Sequence, residues 1–400
     1  MSVALASVDS PSAWPRHLPN DLVAVLCAAA GALVLAFPIA AFALSTFLLL
    51  NLPVGTARST RLMLGVTAAL AFSMMMGARP LDPDASNDIV VYYDVYQELA
   101  AGRLEYLGAF GGGFEVALPL LCGLYALLLP PLSVNGLMFC LALTSSLLML
   151  AWVEKAFYAD RGWRDPALMG VCILMLNLYF STQLTRQFMS LIVLLFAFSA
   201  HGRSRRWLFV ALATTFHLTA LPFYGIYILA RRGPAGWIAI VVLAFVFRVT
   251  FWQFVSAFDL VPPAIAEKLI YYVDNTQEFT DSDLASLRMI GLLGAVSLVA
   301  LVSNRFRIDR AIAPWLAVPW LTALVHFALL PIPLASLRTT LIVHSVVPGL
   351  VAYQMLWRRA GMPIIVVLNV LFAYKVASFA AASDSGNLLP AAAMLRGFVL

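Results

Sequence analysis

Arg186 and Gln187 sit between two apolar runs in residues 177–200, NLYFSTQLTRQFMSLIVLLFAFSA. The first run ends near Phe180, and the polar residues Ser181, Thr182, Gln183 and Thr185 follow. The second run starts at Phe188 and ends at the basic cluster Arg203, Arg205 and Arg206. This pattern reads as two membrane helices joined at one face, with a guanidinium at the joint. An arginine near a membrane centre costs roughly 2.5–3.5 kcal/mol on the insertion scale, so one kept there is a functional candidate. Its planar fork suits the oxygens of a phosphate or diphosphate, gripped two at a time. The plain alternative is a helix-end arginine that snorkels to headgroups.

Other groups able to do chemistry are spread along the chain. Asp84, Asp88, Tyr92 and Tyr96 lie in an acidic stretch, and Glu115 follows Gly111–Gly113. His217 sits midway between two basic clusters, and Arg248 lies within an apolar run. Tyr272 belongs to a second acidic stretch, and Arg288 and Arg338 flank further apolar runs. Gathered on one membrane face, acids able to remove a proton would meet arginines able to hold a diphosphate. Glycosyl transfer from a polyprenyl-diphosphate sugar needs that set. The leaving diphosphate must be stabilised as charge develops, and the acceptor hydroxyl needs a base within hydrogen-bond reach. The sugar carbon passes through an oxocarbenium-like state, as in glycoside hydrolysis. The arginines are expected to neutralise the diphosphate, with no metal and no cofactor. Each residue also has a plainer role. Asp84 and Asp88 could be solvated loop acids, Glu115 a helix cap and His217 a packing residue. Arg248 and Arg288 could pair with loop acids, Arg338 could be a snorkelling anchor, and Tyr92 and Tyr96 could belong to an interfacial belt.

Those residues must be held in lipid. The chain is 62% hydrophobic and 11% charged, with a mean hydropathy of +0.91, whereas a soluble domain is about 25% charged. Apolar runs of spanning length recur from end to end. The net charge of +5 and pI of 9.1 do not point to nucleic acid, because the arginines cluster in short loops, where they set membrane topology. Cys27, Cys122, Cys140 and Cys172 all lie in apolar runs without C-x-x-C spacing, so free packing thiols are expected. Residues 1–20 lack a signal-peptide pattern. No repeat and no soluble domain is visible, so residues 1–400 read as a single integral membrane domain.

The expected elements follow from the pattern. Residues 21–50 are apolar around Pro38, long for one span and short for two, and a helix covers 62–77. Residues 78–115 carry Asp82, Asp84, Asp88, Asp94, Glu98, Glu105 and Glu115 against Arg79 and Arg103. Within them a short interfacial helix starts near Ser86 or Asn87 and ends at Gly102. Asp88, Tyr92 and Tyr96 share one face of that helix. Further spans are expected over 134–153, 167–180, 188–200, 237–254, 287–302, 312–330, 339–356 and 364–379. Residues 206–231 lie between basic clusters and are too short for two full crossings. They are expected to form a hairpin of broken or tilted helices, with His217 at the apex and Pro222 breaking the returning arm.

Charge sets the orientation. Placing Arg58/Arg61, Lys155–Arg164, Arg203–Arg206, Arg231/Arg232, Arg305–Arg310 and Arg358/Arg359 on the cytoplasmic side collects most of the Lys and Arg there. Both acidic loops, 78–115 and 257–287, then face the periplasm. With this placement, parity predicts that residues 114–129 do not cross; the second-ranked alternative makes residues 21–50 a single crossing, with Arg58 and Arg61 outside and the first acidic loop inside. The fold class is therefore an all-α polytopic membrane protein of about 11–14 transmembrane or half-membrane helices, in the bacterial inner membrane, with its site facing the periplasm.

The order of motifs resembles the EpsG/Wzy-type exopolysaccharide and O-antigen polymerases. The resemblance rests on DIVVYYDVYQ, GGGFEV, LTRQFMSLIVLLFA, ATTFHLTALPFY, YYVDN and SLRTTL, over residues 84–341. The family's proline after the loop glutamate is replaced here by Val116. The resemblance implies a metal-independent, GT-C-like polymerase of bacterial surface glycans. It implies undecaprenyl-diphosphate-linked oligosaccharides as donor and acceptor, membrane lipid as surroundings, and a flippase and a chain-length regulator as partners. Carried over, Arg186 and Arg338 would clamp the donor diphosphate with Gln187 in support. Glu115, His217 or Asp88 would act as base or position the acceptor. Two rivals remain: a GT-C enzyme adding one sugar from a polyprenyl phosphate, and a flippase of lipid-linked oligosaccharide.

Overall fold

The computed structural model describes residues 19–79, 88–175, 184–255, 312–329 and 347–357, with short helical pieces between 290 and 302. Thirteen α-helices and no strand stand among the described residues. Residues 21–50 form two helices, α1 (Asn20–Ala36) and α2 (Pro38–Asn51), which pack on one another. Phe37 leaves helical geometry at φ −142°, and Pro38 then opens α2 at the position where its missing N–H costs nothing. Next come α3 (Arg58–Gly77), α4 (Asp88–Ala100) and α5 (Ala117–Leu128). At 12 residues, α5 is about 18 Å long, well short of the roughly 30 Å of a bilayer core.

α6 (Val134–Val153) has the expected bounds. Ser133 caps it by accepting from the Gly136 N–H at 3.1 Å, and a π-turn extends it over Glu154–Ala159. α3, and α6 with this extension, are each long and apolar enough to cross a membrane. The remaining helices are α7 (Ala167–Met175), α8 (Thr185–Ser199), α9 (Arg203–Phe216), α10 (Ala220–Ala230), α11 (Pro234–Val255), α12 (Ala313–Leu329) and α13 (Val347–Trp357). α9 and α10 are the expected broken hairpin, with the break at His217. One detail differs: Pro222 does not break the returning arm. It lies in the first turn of α10, where proline fits. The acidic loop 257–287 and the span 364–379 lie outside the described residues.

α8 is the central helix. Phe188, Leu191, Ile192 and Leu195 join a core with α2, α3, α6 and α7. Met189, Val193, Leu194 and Ala197 join a second core with α4, α5, α9 and α10. A helix apolar all round belongs inside a bundle. Small residues bring backbones close where lipid offers no hydrophobic drive to associate. Gly170 of α7 is one: a Cβ there would come within 2.9 Å of Leu49 Cβ. All four cysteines are buried free thiols.

Below this bundle Arg61 holds Glu154 through both carboxylate oxygens at 2.8 and 2.9 Å, and stacks 3.6 Å over the Tyr158 ring. Arg58 reaches the same carboxylate at 2.9 Å, but its side chain is 70% exposed against 6% for Arg61. Losing Arg61 removes the buried partner and leaves Glu154 only the solvent-exposed Arg58. Arg61→Ala is therefore expected to cost about 3–5 kcal/mol, and Arg58→Ala about 0–1 kcal/mol. Thermal melts of the detergent-solubilised protein should separate the two variants clearly.

Candidate active site

Three interruptions of helix meet on one side of the bundle. They are the glycine run before α5, the start of α8, and the break between α9 and α10. Each delivers one side chain: Glu115, Arg186 and His217.

Gly111, Gly112 and Gly113 all have positive φ, at 58°, 65° and 89°. This left-handed path is open to glycine and strained for other residues. It folds Glu115 back over Gly111, so that a Cβ on Gly111 would lie 2.5 Å from Glu115 Cγ. At Gly112 a Cβ would meet open space. Gly111→Ala should therefore displace the carboxylate, whereas Gly112→Ala should add only backbone strain, about 1–2 kcal/mol. Comparing the two variants for stability and product isolates the displacement, and only Gly111→Ala is expected to lose product beyond its loss of fold.

Glu115 does not cap α5, whose N-terminus has no side-chain cap. Its carboxylate is 4% exposed and binds Arg186 Nη1 through Oε2 at 2.5 Å. Oε1 accepts from the Leu218 N–H at 3.1 Å and lies 3.9 Å from His217 Nε2. Arg186 is in the first turn of α8 and not ahead of it, and no side chain caps that end. The positive end of a helix dipole disfavours a cation there, so the position needs an anion, which Glu115 supplies. The guanidinium also lies 4.2 Å over the Phe110 ring and 5.8 Å from the Tyr92 ring. Its Nε is buried with no hydrogen-bond partner among the described residues.

His217 Nδ1 faces the Thr219 N–H at 3.2 Å and the Thr219 hydroxyl at 2.8 Å. An acceptor at Nδ1 puts the proton of the neutral ring on Nε2, the nitrogen aimed at Glu115. Tyr92 donates to Asp88 Oδ2 at 3.2 Å. Burial, with Asp88 adding to it, raises the Tyr92 phenol above its ordinary range, so it stays a neutral donor. Asp88, Tyr92 and Glu115 all act electrostatically on Arg186. Gln187 is buried beside Arg186 at 3% exposure.

The structure thus brings together Asp88, Tyr92, Glu115, Arg186 and His217, while Gln187 is next to Arg186 in the first turn of α8. Tyr96 is turned elsewhere: it is buried and accepts from the Leu132 N–H at 2.9 Å, so it pins α4 and does not stand in an interfacial belt. Arg248 is half-buried, donates to the Phe327 carbonyl at 3.3 Å and lies 4.9 Å from the Phe327 ring, which fixes α11 to α12. Asp84, Tyr272, Arg288 and Arg338 lie outside the described residues. Sequence reasoning missed Phe110 and Thr219. The H-x-T spacing was the available signal for Thr219, and nothing periodic marked Phe110. It also passed over Asp82/Asp84 and Asp281/Asp283, outside the described residues, whose D-x-D spacing could hold a divalent cation.

No curated protein and no solved structure matches the chain. The EpsG family model matches residues 63–390, a range that contains every member of the cluster around Arg186. The chain therefore belongs to the EpsG family of membrane polymerases in polysaccharide biosynthesis.

Proposed function

We propose that this protein transfers a growing glycan from undecaprenyl diphosphate to a sugar hydroxyl of a lipid-linked repeat unit, at the periplasmic face of the inner membrane. The observation that carries this reading is the buried Glu115–Arg186 pair with His217 Nε2 3.9 Å away. A base, a diphosphate grip and a proton donor stand within contact of one another.

Arg186 swings toward the incoming diphosphate, and the Glu115 carboxylate is freed as its partner leaves. The acceptor hydroxyl gives its proton to Glu115 and its oxygen bonds to the anomeric carbon. The bond from that carbon to the diphosphate oxygen breaks, and the leaving group departs with the electron pair. Arg186 stabilises that charge as it forms. His217 presents an N–H, so in its neutral form it orients the acceptor and does not take the proton. Asp88, engaged by Tyr92, supplies field at the Arg186 side. Gln187 supports the grip, and Arg338 is the second arginine of the clamp.

Purified protein given a lipid-linked repeat unit should yield a ladder of products, unchanged by EDTA. A single addition would favour the GT-C rival, and movement of substrate without lengthening would favour a flippase. Loss of the ladder on chelation, restored by Mg2+, would shift the diphosphate grip to Asp82/Asp84 or Asp281/Asp283.

A further inference from the structure

A cavity among the described residues lies far from Arg186, at the opposite end of α8. It measures about 520 Å3 and is enclosed by the ends of α6, α8, α10, α11 and α12. Ser199, which lines it, is about 20 Å along α8 from Arg186. The volume falls within the roughly 300–1,000 Å3 of small-molecule sites.

Its walls are aromatic and aliphatic. Trp152, Phe198, Phe223 and Trp315 line the interior. The polar groups of Trp152 and of Tyr227, which also lines the cavity, are already engaged, so these walls ask for hydrocarbon. The Trp152 indole N–H donates to the Leu195 carbonyl and to Ser199 Oγ, each at 2.9 Å, and Tyr227 donates to the Phe198 carbonyl at 3.0 Å.

The rim is cationic. Arg161 and Arg231 both line the cavity, both are exposed, and neither is ion-paired among the described residues. Each is held in place by a single hydrogen bond, Arg161 to the Ala156 carbonyl and Arg231 to the Tyr227 hydroxyl at 3.3 Å. Each also lies against an aromatic ring, Phe157 at 5.5 Å and Tyr227 at 5.6 Å. A guanidinium has five N–H donors, so most of the donors on both side chains are unused and pre-positioned.

An apolar chamber between membrane helices with two fixed guanidinium groups at its mouth complements one chemistry, a hydrocarbon chain bearing a phosphate. The mouth lies at the basic ends of the helices, where anionic phospholipids are recognised by basic pockets between spans. We propose that this cavity is a structural site for an anionic glycerophospholipid. An acyl chain lies among Trp152, Phe198, Phe223 and Trp315, and the phosphate is gripped by Arg161 and Arg231. The lipid ties α10, α11 and α12 to the α6–α8 core at the end of the bundle away from the polar cluster.

Native mass spectrometry of the detergent-solubilised full chain, titrated with phosphatidylglycerol and phosphatidylcholine, tests this. The wild type is expected to favour the first phosphatidylglycerol adduct by about tenfold. Arg161→Ala/Arg231→Ala should bring the two lipids to parity, while Arg203→Ala/Arg205→Ala, which removes equal charge away from the cavity, should keep the preference. Ala317→Phe, which fills the chamber and leaves the arginines in place, should lower occupancy by both lipids. An unchanged preference in the Arg161/Arg231 variant, or unchanged occupancy in the Ala317 variant, overturns the proposal. So does displacement of phosphatidylglycerol by an equimolar polyprenyl phosphate, which would make the site one for the carrier lipid.

Discussion

Arg186→Lys is expected to cut polymer synthesis by about 10²–10³-fold while the protein accumulates in the membrane at its usual level. Lysine keeps the positive charge that Glu115 needs, so the buried carboxylate is not stranded. What it loses is the fork. The wild-type guanidinium gives Nη1 to Glu115 and lies over the Phe110 ring at 4.2 Å. This fixes its plane and leaves further donors for two phosphate oxygens. An ammonium is a compact point charge with no plane to fix. Arg186→Gln should behave differently, because it leaves Glu115 unpaired in a site where the carboxylate is 4% exposed. Its loss of product should come with a loss of abundance, since an unpaired buried charge costs about 3–5 kcal/mol. Glycan chain length in a strain lacking the native gene, read beside an immunoblot, separates the two effects. Long chains from the lysine variant would show that the fork is not needed, and attention would pass to Arg338.

Much of this candidate site is legible in the residue order, and the reasons are local. The α4 helix announced itself by its tyrosine spacing and its end at Gly102. The break at His217 followed from two basic clusters too close together for two full spans. Membrane insertion writes both signals into residue order, through charge and length. What could not be read was which way side chains turn. Tyr92 and Tyr96 sit one turn apart on the same face, yet only Tyr92 reaches Asp88, while Tyr96 meets the Leu132 backbone. Arg248 looked like Arg186, a lone guanidinium in an apolar run, and only the packing of α11 on α12 directs it to the Phe327 carbonyl. Thr185, Arg186 and Gln187 read as a joint because polar residues at a helix start resemble a loop. They are in fact the first turn of α8.

The second large effect is expected at Glu115, and it needs two variants to interpret. Glu115→Gln should lower synthesis by about 10²–10⁴-fold, the range lost with a general base. The amide keeps the shape over Gly111, and its carbonyl can still accept from the Leu218 N–H. It also leaves the Arg186 charge unpaired at the positive end of α8, so part of the loss could come from a weakened fold. The exchange Glu115→Arg/Arg186→Glu removes that ambiguity. It restores an ion pair, and it places an anion at the start of α8, where the helix dipole favours one. Its melting temperature should therefore lie above that of Glu115→Gln. If the pair serves only to join α5's glycine loop to α8, product should return with stability. If Glu115 takes the acceptor's proton, the exchanged protein should be stable and make no polymer, because the carboxylate now sits on α8 and no longer faces His217 Nε2 at 3.9 Å. Recovery of both stability and chain length in the exchanged protein would remove Glu115 from the chemistry.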